Sequence, residues 1–208
     1  RADTNVSAEA ADGSSFGTDW ATAMPGMKSG NMKLGGYFDN QVPGVTSRLE
    51  DTLGVEGANP IVTLVREEGR IDSRGWSIAA IQTSLAVSSP IADIAAMSAD
   101  FTADDTVDRV VSVMDAGGTI TPSAGGGTTT AYNGGTATAL GAVGVLQMFA
   151  VKGAPVVRIE HSANGTTGWS TLLTFAAMAT PGAQRVAVTG TVQPYKRAAV
   201  VSGTATCW

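Results

Sequence analysis

Short alternations of apolar and polar residues, punctuated by glycine, run along most of the chain. From Ser29 to Phe38, Met32, Leu34 and Gly36 alternate with Asn31, Lys33 and Gly35 ahead of the aromatic pair Tyr37 and Phe38, which is the period-2 signature of a strand with one buried face. The same reasoning predicts strands at Ile61 to Arg66, at Gly75 to Val87 before Ser88-Ser89-Pro90, and at Ala95 to Thr102. Val156 to His161 alternates and breaks at residues 162–168. Trp169, Thr171, Leu173 and Phe175 then form one face of a following strand, with Asn164-Gly165 supplying the positive φ of a hairpin turn. Gln184 to Val192 and Tyr195 to Ser202 read as two more strands parted at Pro194. One short helix is predicted. Ser47 and Glu50 have capping-box spacing, Val45, Leu49 and Leu53 give an apolar face, and Gly54 ends it.

Composition agrees with this pattern. The 208 residues are 43% apolar and 15% charged, enough to bury a core, while 26 glycines and 6% aromatics favour short strands and tight turns over helical bundles. The expected fold is therefore all-β. The longest apolar run, Leu140 to Val151, is broken by Gly141, Gly144 and Gln147 and is too short for a membrane helix, so no membrane insertion is expected. Charge divides the chain: residues 1–115 hold 17 acids and 8 bases, net −9, and residues 116–208 hold 1 and 5, net +4. The seam falls in a Gly/Thr/Ser-rich stretch. This predicts a first domain over 1–115, a linker or long first loop over 116–135, and a second β-sandwich over 136–208. Cys207 is the one cysteine, which excludes an intramolecular disulfide and fits a reducing cytoplasm. The first residue is Arg1, so processing or a missing N-terminal piece is expected, and no signal-peptide pattern follows it.

Candidate chemistry is sparse. His161 is the only histidine, and in a strand it projects to the opposite face from Glu160, so the two form no relay. One His and one Cys cannot supply a zinc site. Asp100, Asp104, Asp105 and Asp108 lack the spacing and closing Glu of a calcium loop and read as a solvated turn between strands. Glu67-Glu68-Gly69-Arg70 reads as a charged hairpin tip. Gly125-Gly126-Gly127 has no following Lys-Ser/Thr and is no phosphate loop. Asn5-Val6-Ser7 and Asn164-Gly165-Thr166 match the glycosylation triplet, a short and common pattern given no weight here. A pI near 4.8 with scattered bases gives no groove for specific nucleic-acid binding. The expectation is a non-enzyme with no catalytic, cofactor or metal residues. A negative wall has a different use, since it lets DNA slide past without cationic contacts that hold phosphates.

The order of elements carries a resemblance. Ser14-Ser15-Phe16-Gly17-Thr18-Asp19-Trp20, then Met24-Pro25-Gly26-Met27-Lys28-Ser29-Gly30, then the strand ending in Gly36-Tyr37-Phe38-Asp39, then the short helix, resemble the major tail protein, or tail tube protein, of long-tailed bacteriophages. Val157 to Gly165, Arg185 to Val192 and Pro194 to Arg197 are similar to the C-terminal part of such proteins in phages of actinobacteria. The resemblance implies a tail-tube-type β-sandwich or barrel with one helix, followed by a second sandwich on the tube exterior. It implies hexameric rings stacked into a hollow tube around a tape-measure protein, with tail terminator and tail tip proteins at the ends and DNA later passing through. Assembly would take place in the bacterial host cytoplasm and the product would reside in the virion tail. The family's ring-to-ring loop matches about Ser14 to Lys28, which places Phe16, Trp20, Met24 and Met27 at that contact. The family usually has a strand before residue 1 and a C-terminal strand running past Trp208, so further segments are expected beyond both ends. The alternative reading is a carbohydrate-binding or adhesion module, with Tyr132, Trp169 and Tyr195 as stacking aromatics.

Overall fold

The computed structural model describes residues 2–12, 23–38, 45–53, 60–89, 94–120 and 127–207. Among the described residues the fold is all-β with one short α-helix, built on two sheets. The first sheet has the order β1-β2-β5-β4-β3, from β1 (Ala2–Asp12), β2 (Ala23–Tyr37), β3 (Ile61–Val65), β4 (Arg74–Ser88) and β5 (Ala96–Val111). The second is organised on β9 (Ala142–Ser162) and β12 (Tyr195–Cys207). Strands β10 (Ser170–Thr174) and β11 (Gly182–Val188) pair with β9. Strands β6 (Gly118–Ile120), β7 (Gly127–Thr128) and β8 (Tyr132–Asn133) pair with β12. Thus the glycine-rich stretch expected as a linker contributes three short strands to the second sheet. Its glycines and threonines suit brief, separate pairings better than one long strand.

Two compact units emerge, unit 1 of residues 1–62 and 78–107, and unit 2 of 63–77 and 108–208. The chain crosses between them within β3, β4 and β5. In unit 1, the described buried residues Met32, Ile78, Ala80, Met97, Ala99 and Phe101 lie on β2, β4 and β5. Their alternation with exposed Asn31, Lys33, Ile81, Ala96 and Thr102 is what makes these segments strands. The helix α1 (Val45–Thr52) starts two residues before the predicted cap, so Ser47 has helical backbone and cannot be the N-cap residue of a capping box. Leu53, expected on its apolar face, is exposed, while the Thr52 hydroxyl donates to Oε1 of buried Gln82 at 2.5 Å.

Strand β5 corrects another expectation, because it continues nine residues past Thr102 to Val111 and the four aspartates are strand residues, not a turn. Period 2 puts Asp100, Asp104 and Asp108 on one face, opposite Met97, Ala99 and Phe101. Between β3 and β4 the charged tip is present as a 3-10 turn, Glu67–Gly69.

Unit 2 holds a core cluster that includes Leu146, Met148, Val157, Leu173, Phe175, Ala198, Val200 and Cys207. Strand β9 bends midway, at residues whose backbone leaves the pleat: Gly153 has φ +74° and Ala154 φ +46°, and the register with β12 shifts on both sides of Ser202. Gly203 opposite has φ +70°, and a Cβ there would stand 2.7 Å from the Cα of Pro155, so only glycine fits. Buried Pro155 loses nothing by lacking an N–H where the ladder is interrupted. In the loop after β9, positive φ occurs at Gly165 and Gly168 but not at Asn164, so a two-residue Asn-Gly turn does not form. Instead the Asn164 side-chain oxygen accepts from the N–H groups of Thr166 and Thr167, at 3.0 and 2.9 Å.

Candidate functional site

Unit 1 offers an edge and an apolar surface. β1 stands at the end of its sheet, eleven residues long, with β2 as its one neighbour among the described residues. Its exposed residues Asn5 and Ser7 are polar, and Ser7 meets Ser29 of β2 hydroxyl to hydroxyl at 2.9 Å. Such an edge carries a row of backbone groups facing away from the sheet, a template for another strand. At one end of β2, Tyr37 is 73% exposed and pairs with Ala96, and the Phe38 N–H donates to the Ala95 carbonyl at 2.8 Å. Ile94, 64% exposed, precedes this pair, and Val87, near the end of the adjacent β4, is also exposed.

Of the residues expected at a ring contact, Phe16 and Trp20 lie outside the described residues. Met24 and Met27 do not sit in a loop: residues 23–28 already belong to β2, where Met24 pairs with Ala11 and the register shifts beside Met27. Pro25 and Gly26 lie at this irregularity, where a missing N–H is tolerated. On β5, Asp100 accepts from Ser84 Oγ at 2.7 Å and lies 3.3 Å from Lys33 Nζ. The Ser84 hydrogen bond is the main cause holding this carboxyl below the usual aspartate range; desolvation, second in size, opposes it, and Lys33 adds to the lowering.

In unit 2 the polar residues are mutually engaged. Glu160 is buried, and Arg158 and Glu160, two apart on β9, share a sheet face with Arg197, the residue paired with Glu160 across β12. Arg158 Nη2 lies 2.6 Å from Oε1, while Arg197 gives Oε2 both Nη2 at 2.7 Å and Nε at 2.8 Å. The Arg197 guanidinium also stacks 4.1 Å from the centre of the Trp169 ring. A second ion pair joins Arg185 Nε to Asp108 Oδ2 at 2.7 Å. The sequence held a signal for the first group: Glu160 is the single acid beyond residue 115 and follows Arg158 by two.

The three aromatics of the adhesion reading occupy two faces. Tyr195 and Arg197 project to one, where Arg197 stacks on Trp169 and Tyr195 packs on Gly165 so closely that a Cβ there would be 2.6 Å from its ring. Tyr132 pairs with Lys196 and lies under its ammonium, 5.7 Å from ring centre, so it belongs to the other face. Burial, then the nearby Asp72 carboxylate, pushes the Tyr132 phenol upward. His161 faces the same way as Lys196, its strand partner, and its Nδ1 accepts the Gln193 N–H at 3.2 Å. Burial first, and Lys196 second, lower its pKa. Burial raises the Cys207 thiol to about 11. Among the described residues no group of three His, Cys, Asp or Glu is placed to hold a metal.

No known protein-family profile matches the chain, and no curated protein does. Among solved structures it is similar to a chain of the virion of a native gene transfer agent particle, at 12% identity and a TM-score of 0.44, over 53% of this chain and 83% of that one. It is also similar to the SPP1 Dit protein, described as a paradigm of the hub adsorption apparatus in phages infecting Gram-positive hosts, at 9% identity and a TM-score of 0.31, over 98% and 87%. With both TM-scores below 0.5, neither likeness fixes a fold family.

Proposed function

We propose that this chain is a structural, non-catalytic protein of a phage tail that self-associates through unit 1 into stacked rings forming a tail tube. The observation that carries the reading is the long edge of β1, eleven residues on the border of a sheet, in a unit that also exposes Tyr37 and Phe38 at the end of β2 and Ile94 before β5. Soluble proteins shorten, charge or cover such edges, and an assembling one uses them to continue a sheet into the next subunit. Charge supports the same role. Unit 1 carries 12 acids and 4 bases, net −8, while unit 2 carries 6 and 9, net +3. A strongly acidic unit suits a conduit for DNA, because it makes no counterion-releasing phosphate contacts. A hexameric ring, a tape-measure protein inside the tube, terminator and tip proteins at its ends, and residence in the virion tail complete the proposal.

Electron microscopy and sedimentation of the concentrated chain test it. Hollow tubes or stacked rings are the expected result, and a monomer that instead binds glycans overturns it in favour of an adhesion module. Proline scanning along β1 gives the strand-level test. Alternate residues of an edge strand aim their N–H outward, so proline at one parity blocks assembly while leaving the β1–β2 ladder intact, and proline at the other destabilises both.

A further inference from the structure

A cavity of about 390 Å³ lies inside unit 2. Its wall includes the part-buried Val143, Val145, Ile159 and Leu172, backed by the closed core residues Leu146, Val157, Leu173 and Phe175, and the volume falls within the range of small-molecule sites and far above what one buried water requires. At Gly144 the core behind the wall packs tightly, since a Cβ there would stand 2.6 Å from Leu173 and 3.2 Å from Phe175. Exposed Gly134 and Thr138 also line it, so the space reaches the surface.

The charge of the wall selects the chemistry. Two cations, Lys196 and Arg109, line the cavity and no carboxylate does among the described residues. Arg109 lies 5.8 Å from the centre of the Trp76 ring. Lys196 is half-buried, donates one hydrogen bond to the Pro194 carbonyl at 3.1 Å, and abuts Gly134. An ammonium has three donors, so two remain for another acceptor. Four carboxylates of unit 2 are engaged by their own partners: Glu160 by Arg158 and Arg197, Asp108 by Arg185, Asp115 by the Ile71 N–H, and Asp72 by the Tyr132 phenol.

We infer that this cavity binds a small anionic amphiphile, its apolar chain against the part-buried Val143, Val145, Ile159 and Leu172 and its acidic head on Lys196. Burial gives the chain its affinity, and a charge-assisted hydrogen bond fixes which end faces the opening. The site lies within unit 2 and does not depend on the assembly proposed for unit 1.

The test is calorimetric titration of the full chain with decanoate and with decyltrimethylammonium, which share an apolar tail and differ in head charge. Saturable binding of one decanoate per chain, about tenfold tighter than the cation, is expected. Lys196→Met should remove that preference, while decanol binds the variant as it binds the parent. Absence of saturable decanoate binding, or equal binding of both heads by the parent chain, overturns the inference. The two-head comparison on the parent chain decides the matter even where Lys196→Met fails to fold.

Discussion

Unit 1 leaves a long sheet edge open, whereas unit 2, though it exposes Leu140, Phe149 and Val201, gathers its core into one cluster. The first presents a long polar edge and exposes Tyr37, Phe38, Val87 and Ile94 on described residues, with a net charge of −8. The second gathers twelve buried residues into one cluster and ties its charges internally, at Glu160 with two arginines and at Asp108 with one. Exposed apolar area and an open edge cost a monomer solubility unless a partner covers them. A packed core contributes stability without a partner. On the proposal that unit 1 carries association, substitutions in unit 1 should change self-assembly and substitutions in the core cluster of unit 2 should change stability.

The largest effect is expected from Phe175→Ala. The ring is 1% exposed in the cluster of unit 2, and its removal should cost about 3–5 kcal/mol in urea unfolding. A loss below about 1 kcal/mol would mean that unit 2 does not carry the stability. Glu160→Ala comes next. It leaves two arginines on a buried face without their shared anion, and their partial exposure lets water recover part of the loss, so about 2–3 kcal/mol is expected. Glu160→Gln should recover some of it by retaining an acceptor. Tyr37→Ser lies on the other side of the comparison. At 73% exposure it should change monomer stability by no more than about 0.5 kcal/mol, yet weaken self-association in sedimentation velocity. A large stability change with unaltered association would reverse the assignment.

Strict alternation was legible in the sequence, and its absence was not. Residues 29–34 alternate between buried or part-buried and exposed positions, and strands cover most of the predicted segments 29–38, 61–66, 75–87 and 156–161, though 61–65 are part-buried throughout. β1 carries no such signal because its residues are mostly polar or alanine, and its strand character comes from pairing with β2. The first half of β9 is apolar on both faces, a pattern that does not separate strand from other buried structure. The aspartates of β5 imitate a turn, though they alternate with the residues that bury. At the candidate sites, one residue type was visible and its surroundings were not. Trp169 and Tyr195 stood out as aromatics, but the pairing of Lys196 with His161 and Tyr132, which creates the charged wall, depends on three strands separated in sequence.

Acid separates the two units by titrating a different group in each, with the smallest of the four effects. In unit 2, the fold disfavours the imidazolium of His161, by burial first and Lys196 second, and protonating Nδ1 also removes the acceptor of the Gln193 N–H. Its folded pKa lies below the unfolded 6.5, so the unfolded chain binds the proton first. Stability is full above 6.5, declines as pH falls from 6.5 through the folded pKa, and then levels. In unit 1 the sign is that of a carboxylate stabilised by its partners. Asp100 contributes stability above 3.8, and that contribution is lost as pH falls through its lowered folded pKa. Urea midpoints measured downward from pH 7.5 should therefore show a shallow first decline that His161→Gln abolishes. A second decline at lower pH should persist in that variant and shrink in Ser84→Ala, whose hydroxyl is the main cause of the Asp100 shift. Were His161→Gln to leave the first decline in place, the imidazole would not be its source, and mild acid could not be used to weaken unit 2 while leaving unit 1 intact.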